Sequence, residues 1–111
     1  MKKVSKKAEK RADRATNDGL VHAYIHAGGK IGSLVHIGCE TDFVAKTDEF
    51  QKLCHNVALQ VCTADYANNE ELLDSEFIKD PSKKIKNLIE EVIAKTGEKV
   101  ELKGFSKFSV L

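Results

Sequence analysis

The chain has 111 residues, of which 41% are hydrophobic and 32% charged, and its formal net charge is +1. This length and composition fit one folded domain with a single modest core rather than a disordered protein. The near-neutral charge gives no overall electrostatic case for nucleic-acid binding, and no apolar run approaches the roughly 18 residues that would predict a membrane span.

The first predicted element is a short basic helix over residues 3–15. Its thin apolar stripe consists of Val4, Ala8, Ala12 and Ala15. Residues 1–14 hold seven Lys or Arg side chains. Such a segment can bind nucleic acid, but a solvated helix face is the commoner explanation. Because Gly19 breaks the helical pattern, residues 1–18 are interpreted as a basic helical segment and residues 19–111 as a single core domain.

Two β-strands are predicted next, over residues 20–27 and 31–39, joined by a tight hairpin turn at Gly28-Gly29. The alternation of the first strand places Val21, Ala23 and Ile25 on one face, and Leu20, His22, Tyr24 and His26 on the other. On the second strand one face carries Ile31, Ser33, Val35, Ile37 and Cys39. Gly32 and Gly38, on the opposite face, indicate close approach of another backbone or side chain. The glycine-rich turn lacks the G-x-x-x-x-G-K-S/T pattern of a phosphate-binding loop, which favours the hairpin.

An amphipathic helix is predicted to begin near Thr47, a suitable N-cap that precedes two acidic residues. Its predicted buried stripe is Phe50, Leu53, Cys54, Val57, Ala58, Val61 and Cys62. The acidic stretch 65–80 is interpreted as a connection, with Leu72, Leu73 and Phe77 available for packing.

A second helix is predicted from Pro81 or Ser82 to Gly97, with Gly97 as the terminating residue. Its stripe is Ile85, Leu88, Ile89, Val92 and Ile93. A last strand is predicted over residues 99–110. In that strand Phe105 falls in one phase, and the other phase contains Val100, Leu102, Phe108 and Val110. The whole order predicts an α+β fold, a small antiparallel sheet of about three strands with helices packed on one face.

No arrangement typical of an enzyme or a metal site stands out. On a strand, His22 and His26 would lie about 13 Å apart, too far to share an ion. Cys54 and Cys62 both fall on the apolar stripe of the first long helix, so buried thiols are favoured over ligands, and both are expected to react slowly with thiol reagents. The three cysteines show no C-x-x-C spacing, which is typical of reduced thiols in a cytoplasmic protein. The sequence predicts no enzyme, no metal and no cofactor.

The segment Cys39–Lys46 is the strongest candidate for a functional site. An aliphatic strand ends there, a polar cluster follows, and Phe43 lies in the turn before a helix. Phe43 could pack under the following helix as a core residue. It could equally be an exposed aromatic anchor of an interface.

Several segments resemble the core domain of bacterial translation elongation factor Ts. They are Gly19–Gly32, Cys39–Lys46, Asp48–Phe50, Glu76–Lys83, Ile93–Glu98 and Gly104–Val110, and they occur in the order of the family. The resemblance implies a nucleotide-exchange factor that promotes GDP release from elongation factor Tu. It also implies that Thr41, Asp42, Phe43 and Val44 form the loop inserted into that GTPase, and that His26 is a second contact.

The chain also departs from the family pattern. By this resemblance residues 1–18 correspond to the linker helix that follows a small N-terminal helical domain in the family, and neither that domain nor a long helical insertion between the core halves is expected in this sequence. Short relatives with one hairpin-plus-helix unit pair as homodimers, so the resemblance implies a homodimer, without the disulfide that a cysteine in the last strand would allow. Two alternatives remain open: a module that binds elongation factor Tu with little exchange activity, and an RNA-binding fragment using residues 2–14. No membrane and no specific nucleic acid are expected as partners.

Overall fold

The computed structural model describes residues 14–111, which form a three-stranded antiparallel sheet covered on one face by helices. This arrangement confirms the predicted α+β fold. In chain order the elements are β1 (Asp18–Ile25), β2 (Ile31–Cys39), α1 (Asp42–Ala45), α2 (Asp48–Val61), α3 (Asn69–Asp74), β3 (Glu76–Phe77), β4 (Asp80–Lys84), α4 (Ile85–Thr96) and β5 (Val100–Ser109). Among residues 14–111, no helix has both the length and the apolar character needed to cross a membrane.

The N-terminal prediction can be compared with the structure only at its end. The basic helix predicted over 3–15 lies almost wholly outside the described residues. Gly19 does not separate a helix from a strand, because β1 already begins at Asp18 and pairs with Cys39 of β2. The first strand therefore starts two residues earlier than predicted, and it ends two residues earlier, at Ile25.

The hairpin between β1 and β2 is confirmed. Gly28 and Gly29 have φ values of 89° and 70°, a region that glycine adopts without steric cost. The turn is closed by hydrogen bonds from the His26 amide to the Ile31 carbonyl and from the Gly29 amide to the His26 carbonyl, each 2.9 Å long. The face containing Val21 and its neighbours is exposed, and the other face of β1 packs towards the helices.

β5, the third strand of the main sheet, departs from its predicted alternation of faces. β5 pairs with β2, but Gly104 lies opposite His36 and Leu102 lies opposite Ile37, so Lys103 is an extra residue in a β-bulge. One extra residue exchanges the two faces of the strand beyond it. Phe105 therefore packs against the core, and Phe108 is 79% exposed on the open face. The prediction that Phe108 shares a face with Leu102 is wrong for this reason.

The two glycines that indicated a close approach are covered by their own chain. A Cβ atom added at Gly32 would lie 2.6 Å from Cδ1 of Ile25, and one added at Gly38 would lie 2.7 Å from Cε of Lys103. The close approach is thus confirmed as a contact of side chains within the domain. At both glycines the covering atom lies at the end of a flexible side chain.

The first long helix forms much of the core. Thr47 is its N-cap, with Oγ1 accepting a 3.2 Å hydrogen bond from the Phe50 amide, as predicted. The predicted stripe is buried at Phe50, Leu53, Cys54, Val57, Ala58 and Val61. Cys62 is the exception, because the helix ends at Val61 and Cys62 is a partly exposed C-cap residue. Its predicted full burial is therefore wrong.

The cysteines should consequently differ in reactivity. Burial raises the pKa of the Cys54 thiol to about 12, and Cys54 is fully buried. We expect a maleimide reagent to label Cys62 much faster than Cys54 in the native protein, measured by mass spectrometry of peptides, since the thiolate is the reactive form. In denaturant the two rates should converge. Fast labelling of Cys54 in the native state would contradict the register of α2.

The acidic stretch 65–80 has more structure than the predicted connection. It contains α3, whose N-cap Asn68 accepts a 2.9 Å hydrogen bond from the Glu71 amide, and whose Leu72 is fully buried. β3 and β4 follow as a small two-stranded sheet. The second long helix begins at Ile85 rather than Pro81, because the Lys84 amide donates to Oδ1 of Asn87 and caps the helix there. Gly97, with φ of 74°, ends it as predicted.

Candidate functional site

The candidate site is the turn between β2 and α2, which we call the Phe43 turn and define as residues Glu40–Lys46. α1 forms a single helical turn within it. Phe43 is 86% exposed, whereas the next two side chains, Val44 and Ala45, are 8% and 1% exposed. Burial of this pair anchors the backbone to the core and directs the phenylalanine ring away from it. Of the two interpretations that the sequence left open, the exposed ring is the one observed.

Thr41 holds the start of this turn. Its Oγ1 accepts a 3.3 Å hydrogen bond from the Val44 amide and so caps α1. The same hydroxyl donates to Oε2 of Glu98 at 2.6 Å. At the other end of α1, Oγ1 of Thr47 donates to the Val44 carbonyl at 2.7 Å. The backbone around Phe43 is thus bonded on both sides although the ring itself is free of the core.

Asp42 lies beside Phe43 and is also exposed. Its Oδ2 is 2.8 Å from Nζ of Lys46, one helical turn further on, with Asp42 60% and Lys46 77% exposed. The hydrogen bond and the charge of Asp42 raise the pKa of Lys46. An ion pair this exposed contributes little to stability, so a partner can compete for the carboxylate at small cost.

His26 does not lie near the other predicted contacts. It follows β1 in the hairpin turn, where Nδ1 is 3.2 Å from the Tyr24 hydroxyl. The Phe43 turn follows the opposite end of β2, a strand of nine residues. At the rise of an extended chain the two sites are separated by roughly 27 Å. The structure thus brings Thr41, Asp42, Phe43 and Val44 together and leaves His26 at the far end of the sheet.

A histidine cluster lies between β1 and α2. The rings of His22 and His55 are 5.6 Å apart in an edge-to-face arrangement, and Tyr24 contacts His55 at 5.5 Å. Burial, and then the charge of His55, lower the pKa of His22. Within the described part of the chain, no three His, Cys, Asp or Glu side chains converge as metal ligands would. The cluster is therefore interpreted as packing at the helix–sheet boundary.

Glu98 is the residue at this site that sequence reasoning missed. Its Oε1 accepts hydrogen bonds of 3.1 Å from the amides of both Glu40 and Thr41, in addition to the bond from the Thr41 hydroxyl. Nothing in the sequence near Glu98 signals this contact, because the partners are 57 and 58 residues away. Only the pairing of β2 with β5 brings them together.

Comparison of the sequence with known proteins identifies the family of this chain. The family model described as "Elongation factor TS" matches residues 40–110, a range that includes the whole Phe43 turn and Glu98. The chain belongs to the elongation factor Ts family. This membership supports a role as a translation elongation factor of the Ts type, acting in protein biosynthesis.

Similarity to individual members extends beyond the matched range. The chain is 35% identical to elongation factor Ts of Herpetosiphon aurantiacus over 148 aligned positions, covering 93% of this chain and 75% of the relative. It is also 35% identical to the factor of Moorella thermoacetica, covering 93% and 73%, and to that of Thermotoga neapolitana, covering 98% and 77%. An alignment of 148 positions is longer than this chain of 111 residues, so the relative has residues without a counterpart here.

Proposed function

We propose that this chain is a guanine nucleotide exchange factor for elongation factor Tu, which acts in the cytoplasm and inserts the Phe43 turn into the GTPase. The observation that carries the proposal is the exposure of Phe43, 86%, on a backbone that is anchored by buried neighbours. A large aromatic side chain with few rotatable bonds loses little entropy when a partner buries it. Aromatic anchors of this kind dominate the binding energy of many interfaces.

The proposed mechanism uses binding alone, without a covalent step, a metal or a cofactor held by this chain. An exchange factor must bind the nucleotide-free GTPase more tightly than the GDP-bound form, or it cannot shift the equilibrium. By linkage, GDP must then weaken the binding of the factor by the same ratio. A ring that fits only between displaced helices of the GTPase supplies this difference, because its contacts form only when the nucleotide site is disturbed.

Asp42 and His26 have different proposed roles. Asp42 is adjacent to the ring, and its weak pairing with Lys46 leaves the carboxylate available to polar groups of the GTPase. His26 is proposed to contact the GTPase at a second place, roughly 27 Å away along β2. We propose that this second contact forms in both nucleotide states of the GTPase. It therefore adds stability to the complex without driving GDP release.

The test is the release of fluorescent GDP from elongation factor Tu, followed with and without this chain. We expect the rate to rise with the concentration of the chain until it saturates, and competing GDP to lower the affinity of the chain. Binding without acceleration would favour the alternative of a binding module. RNA binding with a steep dependence on salt, and no contact with the GTPase, would favour the alternative that uses residues 2–14.

A homodimer is proposed as the assembly, formed through the open face of the three-stranded sheet. Four apolar side chains on this face are from 46% to 79% exposed: Val21, Ile25, Leu34 and Phe108. An apolar face opposite the helix-covered face is unusual for an isolated sheet and is a common site of association. Two copies can bury it symmetrically, because each presents the same patch to the other.

We expect light scattering at high micromolar concentration to give the mass of a dimer. Leu34→Glu should shift the mass to a monomer, because it places a charge in the middle of the patch on the central strand. Lys79→Glu, a charge change outside the patch, is the control and should remain dimeric. The far-ultraviolet circular dichroism of both variants should match that of the wild type. A wild-type protein that is monomeric at this concentration would contradict the proposed dimer.

A further inference from the structure

We propose that Glu98 is a positioning residue, which holds the Phe43 turn in the conformation that presents the ring to a partner. This inference rests on the proposed exchange function and names a residue that acts through Phe43 rather than by touching the GTPase. The Glu98 carboxylate accepts three hydrogen bonds from the turn: from the amides of Glu40 and Thr41, both 3.1 Å, and from the Thr41 hydroxyl, 2.6 Å.

These three hydrogen bonds satisfy donors of the turn that have no partner within a helix or a strand. The amides of Glu40 and Thr41 lie after the end of β2 and before α1, so neither the strand ladder nor the helix includes them. α1 has only four residues, too few to be stable by its own hydrogen bonds. The start of the turn therefore depends on a partner from elsewhere in the chain, and Glu98 is that partner.

The effect of Glu98 reaches Phe43 through the Thr41 hydroxyl. Because that hydroxyl donates its proton to Glu98, its oxygen lone pairs are directed towards the Val44 amide, from which it accepts. The order of contacts is thus carboxylate, hydroxyl, and the amide of the residue directly after Phe43. The ring has almost no contacts of its own with the core, so the backbone of the turn sets the position of its Cβ atom and thereby the region that the ring can reach.

The Glu40 carboxylate, in the Phe43 turn, makes the reciprocal contact with the segment that contains Glu98. Oε2 of Glu40 accepts from the Lys99 amide and pairs with Arg14 at 3.4 Å, and Arg14 also donates to the Gly97 carbonyl at 3.2 Å. The segment after β2 and the segment before β5 therefore exchange carboxylate–amide hydrogen bonds. Since charge-assisted bonds of this kind are stronger than neutral ones, the pair of segments forms a rigid base for the turn.

The experiment is a double-mutant cycle on GDP release with the full chain. We expect Glu98→Ala to lower the second-order rate constant of release about tenfold, because the unrestrained turn must be ordered when it binds. If Glu98 acts through the ring, the same substitution in a Phe43→Ala background should cause almost no further loss. Two independent losses that multiply would overturn the inference. The control is Glu70→Ala, which removes an exposed carboxylate on α3. With this variant, GDP release from elongation factor Tu should proceed at the wild-type rate.

A measurement without the GTPase separates this inference from the proposed function. In Glu98→Ala, hydrogen exchange of the Thr41 and Val44 amides should become about tenfold faster or more, whereas core amides of α2 should stay protected. Unchanged exchange at both amides would overturn the inference. The wild-type chain could fail to accelerate GDP release from elongation factor Tu while the two amides still exchange faster in Glu98→Ala. In that case the exchange function is wrong and the positioning role stands. Should Glu98→Ala fail to fold, Thr41→Val removes the hydroxyl that links Glu98 to the Val44 amide, at nearly constant volume. In that variant the Val44 amide should exchange faster, whereas the Thr41 amide, which still donates to Glu98, should stay protected, and unchanged exchange of the Val44 amide would overturn the inference.

Discussion

Replacing Phe43 with alanine is expected to remove most of the exchange activity while leaving the melting temperature almost unchanged. The side chain is 86% exposed, so its loss removes little buried surface from the folded state. Loss of an aromatic interface anchor typically costs about 2 kcal/mol or more, which corresponds to about thirtyfold weaker binding of the nucleotide-free GTPase. Thermal melting and GDP release should be measured on the same preparation.

Phe50→Ala is the matched comparison for that experiment. Phe50 is fully buried at the start of α2, seven residues after Phe43. Its truncation should lower the free energy of unfolding by about 3–5 kcal/mol, and any exchange defect should follow the fraction of unfolded protein. A large fall in the melting temperature of Phe43→Ala, similar to that of Phe50→Ala, would show that Phe43 supports the core and would contradict its proposed insertion.

Replacing Gln60 with alanine should destabilise the fold by about 2 kcal/mol, measured by chemical denaturation, because two partly buried backbone groups lose their side-chain partner. Gln60 is 2% exposed on α2. Its Nε2 donates to the Glu76 carbonyl at 2.8 Å, and its Oε1 accepts from the Ile78 amide at 2.9 Å. These bonds attach β3 to the helix. Gln60 thus fixes the path of the chain that leads to the second long helix.

Gln51→Ala is the control within the same helix. The side chain of Gln51 is exposed, and its one described contact is a 3.4 Å bond to the Lys46 carbonyl. We expect a change in stability within about 0.5 kcal/mol for this variant. A Gln60→Ala variant as stable as Gln51→Ala would mean that water replaces the lost hydrogen bonds, and that the glutamine is dispensable for the packing of β3.

The parts of the fold that were predicted correctly depend on interactions between residues close together in the chain. The Thr47 cap and the apolar stripe of α2 involve residues within one or two helical turns of each other. Gly28, Gly29 and Gly97 lie where the local backbone has a positive φ. The Phe43 turn was recognised as a site from its neighbours, but its sequence was compatible with either a buried or an exposed ring. That choice depends on the burial of Val44 and Ala45 against the sheet, a tertiary contact.

The features that only the tertiary structure decided depend on pairing between segments that are distant in the chain. The bulge at Lys103 exists because of the register between β5 and β2, and it exchanged the faces of Phe105 and Phe108. The carboxylate of Glu98 meets the Phe43 turn for the same reason. Hydrophobic periodicity indicates which residues of a segment share a face, but it contains no information about the register of its partner strand or about polar contacts across the sheet. By itself, therefore, the amino-acid sequence determined the hairpin, the two long helices, the last strand, the family and the position of the site, and the packing of the sheet determined how that site is held.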